Sequence, residues 1–164
     1  MREPRIAAGP LSLAARYAAV AEEIDAVVAG EPNLTARMAT VASMLAAEFD
    51  HYFWTGFYVV DLAKGDQLVV GPYQGSLGCL RIDFGRGVCG AAAAKRATQL
   101  VADVDAFDDH IACDSRSKSE LVVPVFDHSG ALIAVFDVDS TEPAAFTEDD
   151  ARGLEDIVRR VFAA

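Results

Sequence analysis

Three cysteines, Cys79, Cys89 and Cys113, and three acidic residues that are hard to explain as surface, Glu120, Asp137 and Asp139, share one stretch of a 164-residue chain, from Cys79 to Ser140. Cys113 stands in IACDSRSKSE, close in sequence to His110, Arg116 and Lys118. Cationic neighbours favour the thiolate and a loop gives access, which is the setting of a reactive thiol. Cys89, in GVCGAAAA, falls in the first turn of an expected helix, whose N-terminus is expected to lower its pKa. Its small apolar neighbours fit a packed structural thiol equally well. Cys79, in SLGCLRI, opens a short strand near Arg81. An odd cysteine count in a chain of this size argues against a disulfide framework, and three buried thiols are the plain alternative to redox use. His110 and Cys113 form an H-x-x-C pair, but there is no C-x-x-C, so no metal site is expected.

The carboxylates can serve such a thiol. Asp137 and Asp139 end an otherwise apolar strand, AVFDVDS, two residues apart and hence on one face. Like charges so placed raise one pKa. Glu120 begins the hairpin partner strand and can lie opposite them. Either these strand ends are solvated, or the three acids face a pocket, bind an ammonium group and hold one proton for general acid catalysis. Trp54 and Tyr58 are core by default, with Trp54 also placed to wall such a pocket. GRGVCG lacks the spacing and lysine of a phosphate loop.

These residues need a scaffold, and the hydrophobic pattern supplies one. Residues 11–29 carry Leu13, Tyr17, Val20, Ile24, Val27 and Val28 at helical spacing, with Gly30 as C-terminal cap. Pro32 opens a second helix that continues to about Phe49. Residues 53–60 and 67–73 read as a hairpin around the DLAKG turn, and 79–82 as a third short strand. An alanine-rich helix follows over 88–96, then a short strand at Leu100 and Val101. Residues 103–118 form a long polar loop, of the kind that is more often functional than idle. ELVVPVF and ALIAVFDV flank a DHSG turn as a second hairpin, and Thr147 with its acidic successors opens a last helix ending near Phe162. The fold class is α+β: a central antiparallel β-sheet flanked by helices.

The bulk numbers exclude several partners. A net charge of -11 leaves no basic face for nucleic acid or an anionic membrane. With 52% hydrophobic residues the chain fills one core, read as a single domain over 1–164 with a flexible segment over 1–10. The start, MREPRIAAGP, carries early charges and two prolines and does not read as a signal peptide, so the expected compartment is the cytoplasm.

The segments WTGFYVV, GPYQG, CLRIDFGRGVCG, DAFDDHIACDSRSKSEL and VFDVDST strongly resemble the free methionine-(R)-sulfoxide reductases, which are single GAF domains. The resemblance runs from about Tyr17 to Phe162. Its cysteine arrangement with GRGVCG, HIACD and DVDS is one that ordinary GAF sensor domains lack. DLAKGDQL and VFDHSGAL look like lengthened turns away from these motifs. The resemblance implies an oxidoreductase in which Cys113 is the nucleophile and becomes a sulfenic acid as methionine leaves. It implies Cys79 as resolving partner in a Cys79–Cys113 disulfide, and Cys89 as a secondary resolving thiol. Glu120, Asp137 and Asp139 would hold the sulfoxide and amino groups, while Trp54 and Tyr58 line the pocket. Thioredoxin would be the reductant, no metal or organic cofactor would be needed, and the assembly would be a homodimer. Defence against oxidative stress is the setting this implies. The alternatives are a GAF module that senses a small ligand and a peroxide sensor oxidised at Cys113.

Overall fold

The computed structural model describes residues 10–111 and 113–164. Apart from Pro10, the segment expected to be flexible lies outside the described residues. Helix α1 (Leu13–Val28) begins where the Ser12 hydroxyl accepts the Ala15 N–H, and α2 (Leu34–Glu48) where the Asn33 side chain accepts that of Ala36. The cap of α2 is thus Asn33, one residue beyond the expected Pro32 start, because a side-chain acceptor satisfies a free N–H that proline cannot. Tyr17, Val20, Ile24 and Val28 are buried as expected, but Val27 is 56% exposed. It sits about 100° round the helix from Val28 and misses the inward stripe.

Strands β1 (Trp54–Val60), β2 (Gln67–Gln74), β3 (Arg81–Asp83), β4 (Gln99–Val101), β5 (Ser119–Phe126) and β6 (Leu132–Ser140) form one sheet in the order β3-β2-β1-β6-β5-β4. Each neighbouring pair is antiparallel. Two hairpins, β1–β2 and β5–β6, are thus joined through their first and last strands, which the sequence order alone does not dictate. Helix α3 (Gly87–Lys95) is inserted between β3 and β4, and α4 (Glu148–Val158) follows β6 and continues as a wider turn over Arg159–Ala163. The expected long loop is present between β4 and β5, with one short 3-10 turn at Val104–Ala106.

The period-2 alternation of the strands sorts the side chains into two layers. Phe57 of β1, Leu121, Val123 and Val125 of β5, and Ala134, Phe136 and Val138 of β6 face α1, α2 and α4 and form the larger core. The opposite face carries Trp54, Tyr58, Val122 and Val135 under α3. Helix α3 can lie close because its inner residues are small. A Cβ on Gly90 would stand 2.4 Å from the Asp83 carbonyl oxygen, so this contact requires glycine. A buried polar network locks the helical layer: the Tyr17 hydroxyl donates to Asp150 Oδ1 (2.6 Å) and is hydrogen-bonded to the Tyr52 hydroxyl. Asp150 also accepts the Thr147 N–H (2.7 Å), closing the capping box of α4. No described helix is long and apolar enough to cross a membrane.

Candidate active site

Strand register assembles the acidic cluster. Trp54 pairs with Asp139, and Asp139 pairs on its other side with Glu120. Asp137, two residues earlier on β6, pairs with Gly56 and Val122. All these side chains except the two partners of Asp137 carry functional groups, and alternation turns Trp54, Tyr58, Glu120, Asp137 and Asp139 to the α3 face. The solvated alternative for the carboxylates is thereby excluded: Glu120 is 6% exposed, Asp137 4% and Asp139 8%.

Burial is the main cause of their unusual acidity. It pushes the Glu120 carboxyl well above the usual range, and the charge of Asp137 adds to the effect. Asp137 is raised by burial and then by Asp139, and Asp139 by burial and then by Glu120. Burial and mutual repulsion both oppose full ionisation, so the cluster favours its protonated forms. The Asp137 carboxyl sits in hydrogen-bonding reach of Glu120, Asp139 and the Cys89 thiol, and its Oδ1 finds a donor among the described residues only when one of these groups carries its proton.

Cys89 enters this cluster from the first turn of α3. Its thiol lies with carboxylate oxygens of Glu120 and Asp137 in a group whose members are all within 4.8 Å of one another. The expected lowering of its pKa is overturned. Burial pushes the Cys89 thiol well above its usual range, and Asp137, Glu120 and Asp139 add to it, outweighing the helix N-terminus. Cys89 is a free, buried cysteine.

Cys79 and Cys113 are disulfide-bonded, with Cα atoms 5.5 Å apart. Cys113 is exposed and Cys79 half-buried. The cationic setting expected for Cys113 is not what the fold builds. Arg116 is engaged elsewhere: its Nη2 donates to Asp114 Oδ2 (2.7 Å) and its guanidinium lies 4.7 Å above the Phe53 ring. His110 is turned to the acids, with Nε2 3.8 Å from Glu120 Oε1. This pair is not an ion pair in the usual sense. Burial lowers the imidazole's pKa and raises the carboxyl's, so both groups favour their neutral forms.

The walls of the pocket are aromatic. The Trp54 ring is stacked between Tyr58 (5.4 Å) and Tyr73 (4.9 Å), and its Nε1 donates to the Ser76 carbonyl (2.9 Å). The Tyr58 phenol is held neutral by burial and by nearby Asp137, while the Cys79 backbone hydrogen-bonds to it. Gly78 lies against both rings: an added Cβ would stand 2.9 Å from Trp54 Cζ2 and 3.1 Å from the Tyr58 oxygen. Trp54, Tyr58, Cys89, Cys113, Glu120, Asp137 and Asp139 line one pocket of about 500 Å³, counting its mouth. Of the cysteines, acids and aromatic residues expected at the site, Cys79 alone is not among this lining; it is bonded to Cys113, which is. His110, Asp114, Leu77 and Ile111 are also part of the wall, and of these only His110 drew attention in the sequence. Asp114 stands next to Cys113, but nothing in the sequence joins it to Ser76, whose hydroxyl it accepts at 2.8 Å.

The arrangement offers an apolar wall, a proton-holding acidic floor and a sulfur pair at the rim. The GAF domain family model matches residues 27–162. The chain is 41% identical over 145 residues to the free methionine-R-sulfoxide reductase of Escherichia coli K12, covering 88% of this chain and 86% of that protein. The X-ray structure of free methionine-R-sulfoxide reductase from Neisseria meningitidis, in complex with its substrate, superposes with a TM-score of 0.88 at 47% identity, covering 93% of this chain and 90% of that one. The reduced form of fRMsr from Staphylococcus aureus gives a TM-score of 0.85 at 36% identity, covering 90% and 95%. With this degree of likeness over nearly the whole chain, the chain belongs to the GAF-domain family of free methionine-R-sulfoxide reductases, a family of oxidoreductases.

Proposed function

We propose that this chain reduces free methionine (R)-sulfoxide to methionine, with Cys113 as nucleophile and Glu120 as proton donor. The observation that carries this reading is the placement of three buried carboxyl groups, all with raised pKa, beside a rim cysteine that is already paired with a second one. A sulfoxide oxygen leaves only if it is protonated as the sulfur is attacked. In the reduced enzyme the Cys113 thiolate bonds to the sulfoxide sulfur while a carboxyl of the cluster delivers a proton to its oxygen. The hydroxyl then passes to the Cys113 sulfur as the bond between the two sulfurs breaks, so that Cys113 is left as a sulfenic acid, methionine leaves as the thioether, and the substrate sulfur gains two electrons. The Cys79 thiol then attacks the sulfenic sulfur, releases water and forms the Cys79–Cys113 disulfide. These steps balance without a metal or an organic cofactor.

Selectivity for the free amino acid follows from charge. A buried cluster of three carboxyl groups favours an α-ammonium group over an uncharged peptide nitrogen. Asp137 and Asp139 hold that group, and Trp54 and Tyr58 enclose the methyl end. Cys89 has the weaker claim to redox work, since its thiol is buried and its pKa raised. Thioredoxin as electron donor, the cytoplasm as compartment and a homodimer as assembly carry over from the family resemblance.

The deciding experiment is NADPH consumption coupled through thioredoxin reductase and thioredoxin, run with each epimer of methionine sulfoxide, free and peptide-bound. Turnover confined to the free (R) epimer is expected. Ligand binding without turnover on any of the four substrates would replace the reductase by a sensor.

A further inference from the structure

The segment that carries Cys113 is fastened to the rest of the fold by more than its disulfide. Asp114, the next residue, accepts the Ser76 hydroxyl at Oδ2 (2.8 Å), and Ser76 lies on the turn that leads to Cys79. The same carboxylate is gripped by Arg116 through its backbone N–H (2.9 Å) and Nε (3.0 Å) at Oδ1 and through Nη2 (2.7 Å) at Oδ2. Arg116 in turn lies 4.7 Å above the ring of Phe53, the residue that enters β1 beside Trp54. The Ser76 carbonyl receives the Trp54 indole N–H, so the far end of the clasp is fixed to the pocket wall. A half-buried carboxylate with four such contacts is ordered in a way that an exposed loop acid is not. The clasp therefore joins, without a covalent bond, the same two segments that the disulfide joins, and none of its contacts involves either sulfur.

We propose that Asp114 is a positioning residue: by holding Ser76 and Arg116 it keeps the reduced Cys113 segment docked on the Cys79 turn, and so sets the rate at which the Cys113 sulfenic acid is captured by Cys79. The proposal rests on the reading that Cys113 becomes a sulfenic acid. In the captured step the Cys79 sulfur bonds to the Cys113 sulfur and the sulfenic hydroxyl leaves as water with the Cys79 proton. With Cα atoms already 5.5 Å apart in the bonded state, a docked segment needs little movement to close, whereas a released one must search for its partner.

The test separates the two chemical steps in reduced enzyme mixed with one equivalent of free methionine (R)-sulfoxide. Rapid quenching reads methionine release, and dimedone trapping with mass spectrometry reads the sulfenic acid and its decay to disulfide. For Ser76→Ala and Arg116→Met, methionine release stays within about twofold of wild type while sulfenic acid decay slows about tenfold, as expected when a reacting pair loses its alignment. Ser76→Thr, which keeps the hydroxyl, restores the decay rate. Asp114→Ala shows the slowest decay of the series. Decay as fast as wild type in Ser76→Ala and Arg116→Met overturns the proposal, and so does an equal fall in both steps, which would place the clasp in substrate handling. Absence of methionine release from wild type would instead remove the reductase reading itself.

Discussion

Glu120 and Asp139 face each other directly across the β5–β6 ladder, and both are buried. Cross-strand like charges are ordinarily destabilising. Here the cost is built into the sheet on the face that also carries Trp54, Tyr58 and Asp137, which is where a cationic ligand could relieve it.

Cys113→Ser should abolish methionine formation, with a loss of at least about a thousandfold, the scale expected when a nucleophile is removed. Cys79→Ser should release a first equivalent of methionine at a rate near that of wild type and then stall. Rapid-quench and steady-state rates, measured on the same preparations, check both. Equal loss of burst and steady state in Cys79→Ser would reject its resolving role.

The acid function of Glu120 requires its proton, and its folded-state pKa is raised by burial. Single-turnover methionine release should therefore fall as pH rises through that raised pKa, and fall at low pH as the Cys113 thiolate is lost, giving a bell-shaped profile. Glu120→Gln should remove the alkaline limb and lower the maximum by about a hundredfold or more, the usual scale for a general acid. An alkaline limb unchanged in Glu120→Gln would assign the proton to Asp137 or Asp139.

Stability should show the same groups with the opposite sign to ordinary surface carboxylates. Because Glu120, Asp137 and Asp139 have raised pKa values, the folded state binds more protons than the unfolded one above the ordinary carboxylate range. Their contribution to stability is thus largest below that range and is lost as pH rises towards the folded-state values. Asp137→Asn replaces a group whose charged form burial disfavours with one that does not ionise, and should raise stability by about 1–3 kcal/mol at pH 7 while KM for substrate rises. Thermal unfolding across pH 5–8, with and without the substitution, reads this out. A destabilised Asp137→Asn would mean that the carboxylate holds the sheet together.

Gly78→Ala tests the aromatic wall. Its Cβ would stand 2.9 Å from Trp54 Cζ2, so the ring must shift into the pocket or away from it. KM should rise about tenfold, since Gly78 lines the pocket against both rings and one contact misplaced by a fraction of an ångström is felt by the ligand. Unchanged KM would remove Trp54 from the substrate wall.

Tyr17→Phe addresses the fold. Loss of the hydroxyl leaves Asp150 Oδ1 and the Tyr52 hydroxyl without their shared partner, which should cost about 1–3 kcal/mol in urea unfolding with activity retained. A null effect would show that water replaces the hydroxyl, and that α1 is held by its apolar stripe alone.

The sequence by itself determined the elements and the chemistry of the parts. Period 3.6 over α1 and α2, period 2 over the strands, and the turns at DLAKG and DHSG are local properties, set by side-chain shape and backbone freedom within a few residues. Alternation likewise put Asp137 and Asp139 on one face, and the motifs around Cys79, Cys89, Cys113 and DVDS were enough to indicate the family. The tertiary structure decided what depends on separation in space. It set β1 beside β6, which brought Trp54 against Asp139 and buried the acids that could as well have been solvated. It turned Cys89 into the acidic floor, where burial overrides the helix N-terminus, and spent Arg116 on Asp114 and Phe53 instead of on Cys113. Tyr17 read as one more apolar residue and proved to anchor a hydrogen-bonded network to Asp150, 133 positions away. The division has one physical cause. Torsional preference and hydrophobic period act between near neighbours and are written along the chain, whereas desolvation, like-charge coupling and hydrogen-bond partnership depend on which distant groups the fold brings together.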